Sequence, residues 1–98
     1  MNSKQLAQAI AKIADDKKAQ DIVVLDLKKL SAFTDYFVIC SGASDRQVKT
    51  IAGAIEMEMK KKDVRVLGVE GYQTGHWVLV DFGDVVAHVF YEDERHYY

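Results

Sequence analysis

The apolar positions of this chain change their period several times, and each change marks an element. Leu6, Ala9, Ile10, Ile13 and Ala14 recur at helical spacing, which predicts an amphipathic helix over residues 4–18 with Ser3 as its N-cap. "DIVVLDL", Asp21 to Leu27, is a short β-branched run that reads as a buried strand. "KKLSAFTD" is a connection, and "YFVICSG", Tyr36 to Gly42, reads as a second buried strand. Ser44 followed three residues later by Gln47 predicts a capping box. Val48, Ile51, Ala52, Ile55 and Met59 then make one apolar stripe, with Arg46, Lys49, Glu56 and Lys60 on the other side of the same helix. "VRVLGVEG" reads as a third strand, followed by a loop carrying Gly71 and Gly75. The last pattern, "TGHWVLVDFGDVVAHVF", is two strands around a tight turn.

The order is helix, strand, strand, helix and three further strands. It predicts an α/β (α+β) fold, a small mixed sheet of about five strands with two main flanking helices. Residues 1–98 are expected to form a single domain, since the chain has no proline, no low-complexity linker and no repeat.

The closing hairpin carries most of the functional information. Gly83-Asp84 suits a two-residue type II′ turn, with glycine at the first central position. Phe82 then pairs with Val85, Val80 with Ala87, Val78 with Val89 and His76 with Tyr91. Alternation puts Phe82, Val80, Val78, Val85, Ala87 and Val89 on one uniformly apolar face, as a core requires. The other face shows Asp81 opposite Val86, Leu79 opposite His88 and Trp77 opposite Phe90. Two readings of that mixed face stand. It is an interface, with large aromatic anchors, or the N-terminal helix covers it and His88 is a hydrogen-bonded histidine beneath.

Composition narrows the partners. Hydrophobic residues make up 49% and charged residues 29% of the chain, a globular balance. The net charge is -2, so no overall basic field attracts phosphate backbones, and specific nucleic-acid binding is not expected. "KKKD", Lys60 to Asp63, falls at a helix end, where its charges complement the dipole. Cys40 is the one cysteine, so no internal disulfide forms, and its apolar surroundings suggest a buried thiol in a reducing compartment. No run approaches the ~18 apolar residues of a membrane span. "MNSKQLAQAI" has neither an h-region nor an Arg-rich transit pattern, so a cytoplasmic location is expected.

Catalytic chemistry is thin. "CSGAS" between a strand and a capped helix resembles a phosphate-holding turn. A nucleotidyltransferase also needs neighbouring carboxylates for two metal ions, and the next strand offers only Glu70. Glu56 and Glu58 are two apart on a helix and point in different directions. His76 and His88 fall on opposite hairpin faces, and there is no HxxxH or CxxC, so no metal site is expected. An Asp81–His88 diagonal pair lacks a nucleophile beside it. No catalytic residue and no cofactor is expected.

"DIVVLDL", "SAFTDYFVICSGASDRQVKTIA", "LGVEG", "GHWVLVDFGDVVAHVF" and the terminal "ER-Y" pattern, in that order, resemble the ribosomal silencing factor (Iojap-like) family. The resemblance covers Asp21 to Tyr97. It implies a nucleotidyltransferase-like topology and a translation repressor that is not an enzyme. The implied partner is large-subunit ribosomal protein fourteen, on the subunit-joining face, where the bound factor blocks an intersubunit bridge and keeps the subunits apart when nutrients are short. Homodimers have also been proposed for the family. The family's ribosome-contacting aromatic falls on Trp77 and its neighbours on His76 and Leu79; "GDVVVHVF" falls on Gly83 to Phe90, with Ala87 the one change. Family members usually continue with a short Leu- and Trp-containing tail, whereas this chain stops at "ERHYY", so no contact of that tail is carried over.

The expected partner-binding residues are therefore Trp77, Leu79, Phe90, His76 and His88, with Trp77, Leu79 and Phe90 forming an exposed or lightly covered patch. Two other function classes remain. One is a nucleotidyltransferase-like nucleotide-binding protein or enzyme using the Ser41–Ser44 turn. The other is a dimerisation module that uses the Trp77 face on itself. The aromatic end, with Tyr91, Tyr97 and Tyr98, needs cover and adds to the expectation of a symmetric dimer.

Overall fold

The structure is a computed structural model that describes residues 1–95. Helix α1 (Ser3–Asp16) is followed by strands β1 (Gln20–Asp26) and β2 (Tyr36–Gly42), helix α2 (Asp45–Lys61), strands β3 (Gly68–Glu70), β4 (Trp77–Asp81) and β5 (Val85–Tyr91), and a short helix α3 (Glu92–Arg95). The strands form one sheet in the order β1-β2-β5-β4-β3. Only β2 and β5 run parallel, and the other neighbours are antiparallel. The expected mixed five-stranded sheet with two main helices is what forms; α3 was not expected.

Both long helices start on side-chain caps. At α1 the cap is Asn2, not Ser3: Gln5 N–H donates to Asn2 Oδ1 at 2.8 Å, and Asn2 N–H donates back to Gln5 Oε1 at 3.0 Å. The helix ends two residues earlier than its apolar spacing suggested, because Lys18 turns to φ 65° and breaks the ladder. At α2 the Ser44 Oγ accepts from Gln47 N–H at 3.1 Å. Gln47 does not close the box on Ser44. Its Oε1 takes the Ala43 N–H at 2.6 Å, and its Nε2 donates to Lys18 O at 3.2 Å. The end of α1 is thereby tied to the start of α2.

The core lies on one side of the sheet. The expected α2 stripe (Val48, Ile51, Ala52, Ile55 and Met59) is buried throughout, and Leu6, Ala7, Ile10 and Ala14 of α1 join it. Beneath them lie Val38 and Cys40 of β2, Val78 and Val80 of β4, and Val85, Ala87 and Val89 of β5, with Phe82 at the turn. The hairpin forms in the expected register, Trp77↔Phe90 to Asp81↔Val86. Gly83 takes φ 87° while Asp84 keeps a negative φ, as a type II′ turn requires.

Two strands differ from their sequence reading. β1 is not buried: it is an edge strand with a register shift between Gln20 and Val23, and Val23, Val24 and Leu25 are each about two-fifths exposed. A β-branched run is as compatible with an edge as with a centre, and only the strand order decides. "VRVLGVEG" yields just the three residues of β3, because only Gly68–Glu70 pair with β4. Tyr97 and Tyr98, whose cover was in question, lie outside the described residues.

Candidate docking face

The second face of the sheet follows from the register. Val86, His88 and Phe90 of β5 point away from the helices. Beside them stand Phe37, Ile39 and Ser41 of β2, and Asp81, Leu79 and Trp77 of β4. Val23 and Leu25 of β1 extend the row past Ile39 and Phe37. The N-terminal helix does not cover this face, contrary to one of the two readings. Both α1 and α2 pack on the other side: the α2 stripe meets the uniformly apolar face of the hairpin, and α1 packs mainly on β1 and β2. The side left to the rings of Phe37, Trp77 and Phe90 is aromatic.

Exposure across the face is uneven. Trp77 is 38% exposed and Leu79 partly buried, which agrees with the expectation that they form an exposed or lightly covered patch. Phe90 is only 3% exposed and His88 8%, which corrects the expectation that Phe90 lies open. The cause is position: β5 is the middle strand, and rings from both neighbours lean over it. Trp77 stacks on Phe90 with centroids 5.0 Å apart, and Phe37 meets His88 edge-on at 4.5 Å. His76 stands apart from the group. It is exposed on the opposite side of β4, with its ring 5.9 Å from Tyr91.

Between these rings lies an apolar cleft of about 160 Å³ lined by Phe37, Ile39, Trp77, His88 and Phe90. At its floor the indole Nε1–H of Trp77 donates to His88 Nδ1 at 3.2 Å. A nitrogen that accepts carries no proton, so the imidazole proton sits on Nε2. Nε2 is buried with no hydrogen-bond partner among the described residues. A buried donor left in that state costs about 1–3 kcal/mol. Burial also pushes the imidazole below its ordinary pKa, since charging it there is unfavourable. Asp81 does not pair with His88; its Oδ1 accepts the Gly83 N–H at 2.7 Å and braces the turn.

The Ser41–Ser44 turn is occupied by its own neighbours. Arg95 of α3 donates from Nη1 to Ser41 Oγ at 2.7 Å. Ser44 Oγ and the Ala43 N–H both engage Gln47, and a Cβ on Gly42 would stand 2.9 Å from Val48 Cγ2. Its groups serve capping and close packing. Cys40 is buried on the helix side, and desolvation pushes its thiol up to about 12. Among the described residues no three His, Cys, Asp or Glu side chains gather closely enough to share a metal ion. No helix among them is long and apolar enough to cross a membrane.

Phe37, Ile39, Val23 and Leu25 were missing from the sequence reading of this face. Alternation within "YFVICSG" already puts Phe37 and Ile39 on one side. Which side that is depends on the parallel pairing with β5, and nothing local in the sequence states that pairing.

Known proteins complete the picture. The family model described as "Ribosomal silencing factor during starvation" matches residues 1–98. The ribosomal silencing factor RsfS of Bacillus subtilis (strain 168) is 47% identical over 98 residues, covering 100% of this chain and 83% of that protein. The chloroplastic Iojap protein of Arabidopsis thaliana is 37% identical over 92 residues, covering 94% of this chain but 38% of that longer protein. A crystal structure of a Chromobacterium violaceum protein superposes with a TM-score of 0.97 at 37% identity, over 100% of this chain and 82% of that one. The fold, the hairpin and the full-length match agree: the chain belongs to the ribosomal silencing factor family.

Proposed function

We propose that this protein represses translation by docking the face of its sheet opposite α1 and α2 on large-subunit ribosomal protein fourteen. Bound there, it obstructs an intersubunit bridge and prevents the small subunit from joining. The action is steric and needs no turnover of a substrate. Its place is the cytoplasm, where the subunits meet.

The observation that carries this reading is the open aromatic face. A domain of this size ordinarily covers or wets the second side of its sheet. Here Trp77 is 38% exposed above a cleft walled by Phe37, Ile39 and Phe90. Large aromatic anchors over a desolvated centre are what binding hot spots are made of. Membership of the ribosomal silencing factor family supports a ribosomal target.

The test is co-sedimentation with purified large subunits, together with a subunit-joining assay, for the wild type and Trp77→Ala. The wild type is expected to bind and to hold the subunits apart. Loss of the anchor is expected to weaken binding by about thirtyfold or more. A folded Trp77→Ala protein that binds and blocks joining as the wild type does would remove the face from the account.

A further inference from the structure

We infer that His88 is the positioning residue of the docking face: its Nδ1 fixes the Trp77 indole as the wall of the cleft that the partner enters. The inference rests on the docking reading above and assigns His88 a role other than touching the partner.

Of the side chains that line the cleft, Trp77 is the most open to solvent, and its side chain has two torsions to lose on binding. Side-chain freedom lost at an interface weakens binding, and fixing the pose beforehand recovers that loss. The stack on Phe90, with 23° between the ring planes, limits tilt but permits sliding. The 3.2 Å bond from Nε1–H to His88 Nδ1 selects one rotation of the indole. His88 suits this role because it is enclosed: it is 8% exposed, sits on the middle strand, and packs against Phe37 at 4.5 Å and Phe90 at 6.3 Å.

The second ring nitrogen supplies an independent sign. Nε2 is buried without a partner among the described residues. A side chain present for packing alone would carry no such penalty, since methionine fills similar space without a polar atom to satisfy. Local departures from good packing chemistry are expected at functional sites. The effects of His88 on stability and on docking therefore have opposite signs, which a purely structural residue would not show.

The experiment compares wild type, His88→Met and His88→Gln in three measurements. These are the urea midpoint, the indole N–H resonance of the free protein, and binding to purified large subunits. His88→Met is expected to unfold at or above the wild-type midpoint and to shift the indole resonance. It is expected to bind on the order of tenfold more weakly, the worth of one hydrogen bond. His88→Gln, whose amide oxygen again accepts the indole N–H, is expected to recover most of the binding. The inference is overturned if folded His88→Met binds like wild type, or if its binding falls only as far as its stability does. If the wild type itself does not bind large subunits, the docking reading falls and this one with it. Normal wild-type binding alongside an unaffected His88→Met overturns this inference alone.

Discussion

Trp77 and Phe90 face each other across β4 and β5 with centroids 5.0 Å apart, yet one ring is 38% exposed and the other 3%. The pair separates stability from docking. Phe90→Ala empties a buried site and is expected to cost about 3–5 kcal/mol of stability. Trp77→Ala acts at a partly exposed site, losing the stack on Phe90 and the hydrogen bond to His88, and is expected to cost less, about 1–2 kcal/mol. Urea unfolding of both variants checks this, and equal losses would mean that the indole is core.

Acid is expected to destabilise the fold through His88. Its folded pKa lies below the ordinary 6.5 because burial disfavours the charged ring. The unfolded chain therefore takes up a proton first as pH falls. The contribution is complete above about 6.5 and is lost as pH drops from there towards the lower folded value. The side chains seen packed on the imidazole, Phe37, Trp77 and Phe90, carry no charge to offset this. His88→Met is expected to flatten the stability profile between pH 7 and 5, and an unchanged slope would assign the titration elsewhere.

The helix layer offers a sharp internal contrast. Ile51 and Ile55 are fully buried on the α2 stripe, while Met57 on the same helix is 60% exposed. Ile51→Ala or Ile55→Ala is expected to cost about 2–5 kcal/mol. Met57→Ala is expected to stay within about 0.5 kcal/mol of wild type. Thermal unfolding of the three variants decides.

Cys40 is expected to be chemically silent in the native state. Its thiol is buried and pushed up to about 12, so almost no thiolate exists at pH 8. A thiol reagent should label it only as fast as the protein opens, and immediately in denaturant. Rapid labelling of the folded protein would contradict the burial.

A symmetric dimer through the β1 edge is expected at high concentration. Val23 and Leu25 on one face of β1 and Val24 on the other are each partly exposed, on the edge strand of the sheet. Sedimentation of wild type and Val24→Lys tests it, since an edge lysine discourages strand pairing. A wild type that sediments as a monomer at millimolar concentration would end this proposal.

Local signals were easy to read in the sequence, and non-local ones were not. The α2 stripe, the hairpin register and the Gly83 turn each depend on residues a few positions apart, and each formed as spacing predicted. "DIVVLDL" was misread as buried because its composition is silent about which strands flank it. Trp77 was correctly placed on the second face. The burial of Phe90 was not foreseen, because it depends on β5 lying between β2 and β4. The side taken by α1 was open for the same reason: a helix stripe says that it must be covered, not by which face.

The parallel pairing of β2 with β5 sets a timetable for folding. The two strands in contact at the middle of the sheet, Tyr36–Gly42 and Val85–Tyr91, are separated in the chain by α2, β3 and β4. Closing that long loop comes before any reward from the contact, so this junction forms late and slowly. During synthesis the first two strands and both long helices emerge without the strand that unites them. The Trp77 platform has no floor until β5 has left the exit tunnel. A chain interrupted before β5 therefore carries Trp77 without the Phe90 and His88 rings that it rests on.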